Sequence, residues 1–223
     1  MSPSVEVFSA RDYPARAAEL IAARLSGDGA VVLTGGGTAE RVYPRLAELG
    51  VSWLGRTILF SDERGVPPDD PASNYAMATR TLAPGFAVAD VRRMRGEDDP
   101  EVAARAYEDD VRDVVAAGPR LVVLGLGEDA HVAALFPRSP ALAERGRLCV
   151  AVERPDGLPG ITLTPPALLA GREVVVIASG AAKADAIRRA VAGDEPVARC
   201  PARLLAAHAR VTFALDDAAA AGL

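Results

Sequence analysis

Residues 121–137 read LVVLGLGEDAHVAALFP, and the first four of them decide the fold class. Four consecutive apolar residues fit a strand covered on both faces, as in a parallel sheet between helices, and not the alternation of a half-exposed strand. Gly125 and Gly127 break the run, and Asp129 and His131 follow at once. Open α/β sheets place their sites beyond the carboxyl ends of such strands, so the order of residues aims His131 at a site.

The same grammar recurs on either side of this stretch. Residues 30–33 are apolar and lead into Thr34-Gly35-Gly36-Gly37-Thr38, before an amphipathic helix that carries Val42, Leu46 and Leu49. Residues 57–60 form another short run, closed by a charged loop, Ser61-Asp62-Glu63-Arg64, and residues 174–178 another, followed by Ser179-Gly180 and a helix from 181 to about 191. Helical spacing also marks Tyr13, Ala17, Leu20, Ile21 and Leu25, and a longer helix opens with Asp99 as N-cap and Pro100 in its first turn, stopping at Gly118-Pro119. Residues 148–152 and 161–164 read as a hairpin around Pro155-Asp156-Gly157, and residues 211–215 close the sheet, with a terminal helix expected from Asp216. Strands alternating with helices predict a doubly wound α/β fold: a mostly parallel sheet with helices on both faces, in a single domain spanning residues 1–223.

Composition narrows the function. The 25 Lys+Arg against 30 Asp+Glu leave a formal charge of -5, so no global field favours nucleic acid, and any anionic ligand must be held by a local cluster. There is no basic segment followed by an apolar core at the start of the sequence and no apolar stretch of membrane-spanning length, which makes a cytoplasmic location the expectation and a membrane partner unexpected. Cys149 and Cys200 have no metal-ligand or redox spacing and read as reduced thiols in or near the core.

Four stretches carry candidate chemistry. The glycines of residues 35–37 with Thr38 read either as a phosphate cradle at a helix N-terminus or as a tight turn between strand and helix; without a following Lys-Ser/Thr the cradle does not suit a nucleoside triphosphate. Asp62-Glu63-Arg64 with Ser73-Asn74 reads either as a solvated loop or as a site in which Arg64 clamps a phosphate and Asp62 orients a partner. Lys183 lies in the first turn of its helix, where the dipole disfavours a cation; it is either an exposed lysine or the companion of an anion. His131 is one of only two histidines and lies near Asp129, a pattern suited to acid–base work, whereas His208 in LLAAHARV reads as structural. Gly125-x-Gly127-x-x-Ala130 formally matches a dinucleotide fingerprint, but Pro137 and Pro140 cut short the helix that fingerprint needs. No HxxxH, HExxH or GxSxG pattern occurs, so neither a metal nor a nucleophilic serine is expected, and no cofactor is called for.

Taken together, TGGGTAERVYPRLAE, FSDERGVPPDDPASNY, LGLGEDAHVAALFP, ITLTPPALLA and SGAAKADAI resemble, in this order and spacing, the 6-phosphogluconolactonase family, which shares a superfamily with glucosamine-6-phosphate deaminases. Asp62-Glu63-Arg64 stands where deaminases carry Asp-Glu-Tyr, and Leu135-Phe136-Pro137 where they carry Phe-Asn-Glu. The resemblance implies hydrolysis of 6-phosphoglucono-δ-lactone, a small sugar phosphate, to 6-phosphogluconate; a histidine suffices for opening so activated a carbonyl without a metal, and a monomer or small homo-oligomer is the expectation for the assembly. It implies a catalytic His131, with Gly36, Gly37, Thr38, Arg64 and Lys183 around the phosphate and substrate; beside these, Asp129 is the residue suited to hold the imidazole in the useful tautomer and Asp62 the one suited to orient a bound partner. The sequence departs from the family pattern in Ala130 for glycine, Ala134 for serine, and Gly160 for the arginine before Ile-Thr-Leu; Arg154, six residues upstream, is the candidate replacement. Two other readings stand beside this one, an enzyme acting on a related sugar phosphate by deaminase- or isomerase-like chemistry and a sugar-phosphate-binding paralogue without turnover.

Overall fold

The computed structural model describes residues 3–223. In chain order the elements are β1 (Ser4–Phe8), α1 (Tyr13–Arg24), β2 (Val31–Leu33), α2 (Gly37–Glu48), β3 (Thr57–Phe60), β4 (Asp62–Arg64), α3 (Asn74–Leu82) and β5 (Asp90–Val91). There follow α4 (Pro100–Ala117), β6 (Leu121–Gly125), β7 (Cys149–Glu153), β8 (Pro159–Leu163), α5 (Pro165–Leu169), β9 (Val174–Ala178), α6 (Ala184–Ala192) and β10 (Val211–Asp216). Seven strands form a parallel sheet in the order β1-β10-β9-β6-β2-β3-β5. From β2 the chain runs outward one way to β3 and β5, then returns to β6 and runs the other way to β9 and β10. The reversal lies between β2 and β6, the crevice where doubly wound sheets hold ligands.

The apolar runs explain the two covered faces. Alternate residues of one strand enter different cores: Val32, Leu59, Val122, Leu124, Val174 and Val176 lie in one, Val31, Leu33, Ile58, Phe60, Leu121 and Val123 in the other. Helices α1, α2 and α3 cover the second core, α4, α5 and α6 the first. Asp99 caps α4 through its carboxylate, which accepts from the N–H groups of Glu101 and Val102 at 3.1 Å each. Both cysteines are buried and free, as the sequence predicts. Among the described residues no helix is long and apolar enough to cross a membrane.

Three expectations need correction. Asp62-Glu63-Arg64 is a strand, not a solvated loop: β4 pairs antiparallel with β8, which also pairs with β7, in a second, three-stranded sheet. Alternation over three charged residues gives no strand signal, because the pairing partner lies a hundred residues away. Residues 217–222 make turns and no terminal helix forms. Asp216 is instead the last residue of β10; its carboxylate accepts from Ala219 N at 2.8 Å, as a cap would, and also from Gly180 N at 2.9 Å, and helix nucleation in so short a segment is costly. The helix expected from 181 begins as a 3₁₀ turn over Ala181–Lys183 and becomes α-helical at Ala184.

Candidate active site

Three strand ends build the site: the turn after β2, the loop after β6 and the turn after β9. Tyr43 on α2 fixes the first, its hydroxyl accepting from Thr34 N at 3.1 Å and donating to Thr34 O at 2.9 Å. Gly36, at φ +91°, then turns the chain into α2, a conformation that favours glycine. Thr34 Oγ1 accepts from Gly125 N at 3.1 Å and so ties the end of β2 to the end of β6. Asp216 holds the third turn through Gly180 N, which sets where Ser179 and Lys183 project.

These ends enclose a cavity of about 470 Å³, walled by the glycine turn, Thr38, Asp62, Arg64, His131, Arg154 and Lys183, together with Arg41 and Ser179. A sugar phosphate fits this volume and its charge. Every proposed substrate-binding residue therefore lies on one wall or another, although they come from strands and turns spread over most of the chain. Asp129 is set back and touches His131: Oδ1 lies 2.6 Å from Nδ1, and the same oxygen accepts from His131 N at 3.1 Å. Burial raises the Asp129 carboxyl, but the hydrogen bond and charge of His131 outweigh it and leave that carboxyl below its usual range. An ionised Asp129 accepts the Nδ1 proton, which leaves Nε2 unprotonated in the neutral ring. The imidazole also packs on Phe136, with centroids 4.6 Å apart.

The remaining charged wall comes from the second sheet. Asp62 is buried and accepts from Ser61 Oγ at 2.8 Å, with Asn74 Nδ2 at 3.3 Å. Glu63 points the other way along the strand and does not reach the cavity. Its carboxylate accepts from Asn74 N and Tyr75 N at 2.7 and 2.9 Å and from Ser73 Oγ at 3.0 Å, so it anchors the start of α3. Burial pushes the Glu63 carboxyl up, opposed by these donors. Ser73 and Asn74 thus support the wall from behind. Arg64 donates through Nη1 to Ala72 O at 2.5 Å, and its Nε is buried without a partner among the described residues. His208 donates through Nε2 to Gly171 O at 2.6 Å, accepts from Arg210 N through Nδ1, and takes no part in the site.

Sequence reasoning missed Arg41 and Ser179. Arg41 Nη2 donates to Ser179 Oγ, which also lies 3.2 Å from Thr38 Oγ1. Arg41 stands one helical turn beyond Gly37, on the face that Thr38 opens, and that spacing is the signal that would have found it. Ala130 has φ +68°, the left-handed region, so the position that carries glycine in the resembling family does need positive φ here. The apparent dinucleotide fingerprint opens no helix; residues 126–139 are turns around His131.

Fold and pocket define a doubly wound α/β protein that gathers cations, a glycine turn and one paired histidine at the switch point of its sheet. The chain belongs to the family described as glucosamine-6-phosphate isomerases/6-phosphogluconolactonase, whose model matches residues 8–213. It is 35% identical to the 6-phosphogluconolactonase of Mycobacterium tuberculosis over 248 aligned positions, covering 100% of this chain and 99% of that one. Among solved structures, 6-phosphogluconolactonase from Trypanosoma cruzi superposes with a TM-score of 0.85 at 26% identity, covering 100% and 98% of the two chains. A monomeric glucosamine-6-phosphate deaminase superposes as well, with a TM-score of 0.85 at 23% identity over 99% and 100%, and this likeness extends to the fold alone.

Proposed function

We propose that the protein hydrolyses 6-phospho-D-glucono-1,5-lactone to 6-phosphogluconate, the second step of the oxidative pentose phosphate pathway, with His131 as general base. The Asp129–His131 pair on the wall of a cationic cavity carries this reading, in a chain whose full-length relatives bear the name 6-phosphogluconolactonase.

With Nδ1 engaged by Asp129, Nε2 is the nitrogen free to take a proton from water as the water oxygen bonds to the lactone carbonyl carbon. Charge builds on the carbonyl oxygen, and backbone N–H groups of the glycine turn suit its stabilisation. Collapse of the tetrahedral adduct breaks the bond from that carbon to the ring oxygen, and the imidazolium returns its proton to that oxygen, giving an acid and a hydroxyl. A lactone is already activated, so no covalent intermediate is required. Arg41, Lys183, Thr38 and the N-terminus of α2 suit the phosphate, and anchoring it orients the carbonyl.

Hydrolysis of freshly generated lactone, corrected for spontaneous opening, tests this. The wild type should accelerate hydrolysis and His131→Ala should lose at least about a hundredfold in kcat. No acceleration by the wild type removes the lactonase assignment, and equal rates for both proteins remove His131 as the base. Ammonia release from glucosamine 6-phosphate in the same assay would favour deaminase chemistry instead.

A further inference from the structure

We infer that Gly160 and Arg154 act as one device: the missing side chain at 160 is the slot through which Arg154 crosses β8 to place a second guanidinium beside Arg64, where it binds an anionic group of the ligand. The inference rests on the proposed sugar-phosphate site and deepens it.

Gly160 lies in the middle strand of the three-stranded sheet, opposite Arg64 of β4 and Val152 of β7. Glycine inside a strand weakens it and marks either a special backbone angle or a close approach. Gly160 is not among the residues with positive φ, so the reason is space. A Cβ at 160 would meet Arg154 Cδ at 2.8 Å and Cγ at 3.1 Å, with Glu63 O at 3.3 Å. The Arg154 stem fills the volume an ordinary side chain would take.

What emerges on the pocket side is a guanidinium aimed at the cavity. The Arg154 side chain is only 9% exposed. Asp156 holds one edge of the fork, with Nη2 to Oδ2 at 2.9 Å and Nε to the same oxygen at 3.2 Å. Phe136 lies under it, 5.5 Å from Cζ to the ring centroid, on the ring that also packs against His131. Nη1 makes no hydrogen bond among the described residues; Asp62 Oδ2, at 3.9 Å, is its nearest carboxylate oxygen and too far for one. A pre-positioned guanidinium with one edge held and the other free suits a carboxylate or phosphate oxygen. The Arg154 hydrogen bond, with Arg64 nearby, keeps Asp156 below the usual carboxylate range, as expected where the two guanidinium groups converge.

A double-mutant cycle tests the device. Arg154→Ala should weaken binding of 6-phosphogluconate by about tenfold or more in titration calorimetry, the effect of losing a hydrogen bond to a charged group. Gly160→Ala should weaken it by a similar factor, by expelling Arg154, and the double variant should be no weaker than Arg154→Ala alone. Arg154→Lys, cationic but without the fork, should fall between. Glucose 6-phosphate separates the two ligand groups: if it weakens in parallel, Arg154 holds the phosphate; if it is unaffected, Arg154 holds the carboxylate of the product. Unchanged affinity of Arg154→Ala for both ligands overturns the inference, and so do additive losses in the double variant. Thermal unfolding supplies an arm that needs no ligand. Gly160→Ala should lower Tm in the wild-type background and not in the Arg154→Ala background; equal shifts overturn the slot. If the wild type binds neither ligand, the functional reading fails, and this thermal arm still decides the slot.

Discussion

A methyl group at position 127 would occupy the space of the Asp129–His131 pair proposed to activate water: a Cβ built on Gly127 lies 2.0 Å from His131 Nδ1 and 2.7 Å from Asp129 Oδ1. Gly127→Ala should therefore lower kcat by about a hundredfold, the usual cost of misplacing a reacting group by an ångström. Tm should move by only a few degrees, because the atoms a Cβ would meet belong to the partly exposed His131 and Asp129 side chains, which can swing aside; kinetics and a melt on the same preparation check both halves. Asp129→Asn should cut kcat by on the order of a hundredfold, since an amide no longer fixes the Nδ1-protonated tautomer. The Asp129 pKa is lowered in the folded state, so the folded protein binds fewer protons than the unfolded chain just below the ordinary value of 3.8. Its stabilising contribution is thus full above that value and is lost as pH falls through the depressed one. The part of the stability gap between wild type and Asp129→Asn that comes from the Asp129 carboxylate should close as pH falls below about 4, as read from urea midpoints. Ala130 shows two opposed residue-scale effects, of which the backbone cost is the larger. Left-handed backbone costs an alanine roughly 1–2 kcal/mol, while its methyl is fully buried and a buried carbon contributes about 0.8 kcal/mol.

At the scale of elements, the start of α3 and the strand β4 hold one another. Ser73 caps the helix, its Oγ accepting from Ala76 N at 3.1 Å while donating to Glu63 at 3.0 Å, and Glu63 bonds two further N–H groups of the first turn. Ser73→Ala removes a cap and leaves a buried carboxylate one donor short, so stability should fall by about 1–2 kcal/mol. Because Asp62 and Arg64 flank Glu63 on the same short strand, KM for the lactone should rise with it; denaturant titration and steady-state kinetics check the pair of effects. This coupling of helix, strand and cavity wall was not legible in the sequence. Asp62-Glu63-Arg64 could be read as a charged cluster, but neither its strand pairing with residues 160–162 nor the burial of Glu63 follows from local composition.

Across the whole molecule, the two ends of the parallel sheet do different work. The carboxyl ends carry the cavity, while the amino ends are fastened by Glu173, a nearly buried carboxylate just before β9. Arg24 reaches it at 3.0 Å from the end of α1, Arg210 at 3.0 Å from the start of β10 and Arg120 at 3.6 Å from the start of β6. Three partly exposed partners share one carboxylate, so its loss costs less than that of a fully buried pair. Glu173→Gln should lower stability by about 1–3 kcal/mol and leave kcat and KM within about twofold, because no strand end of the cavity moves. A matching loss of activity at a temperature where the variant is fully folded would show that the two poles are coupled.

The sequence by itself determined the sheet's class, its main strands and several of the residues that surround the cavity. Continuous apolar runs can be satisfied only by burial on both faces, and glycines and polar residues collect where such strands end. Tertiary structure alone decided the rest: that Arg41 and Ser179 meet across strands, that Glu63 supports and does not line the wall, that β4 belongs to a second sheet, and that Arg154 reaches the cavity over Gly160. Each depends on contacts set by packing and pairing register and not by adjacency in the chain, and no local pattern of apolar and polar residues records that.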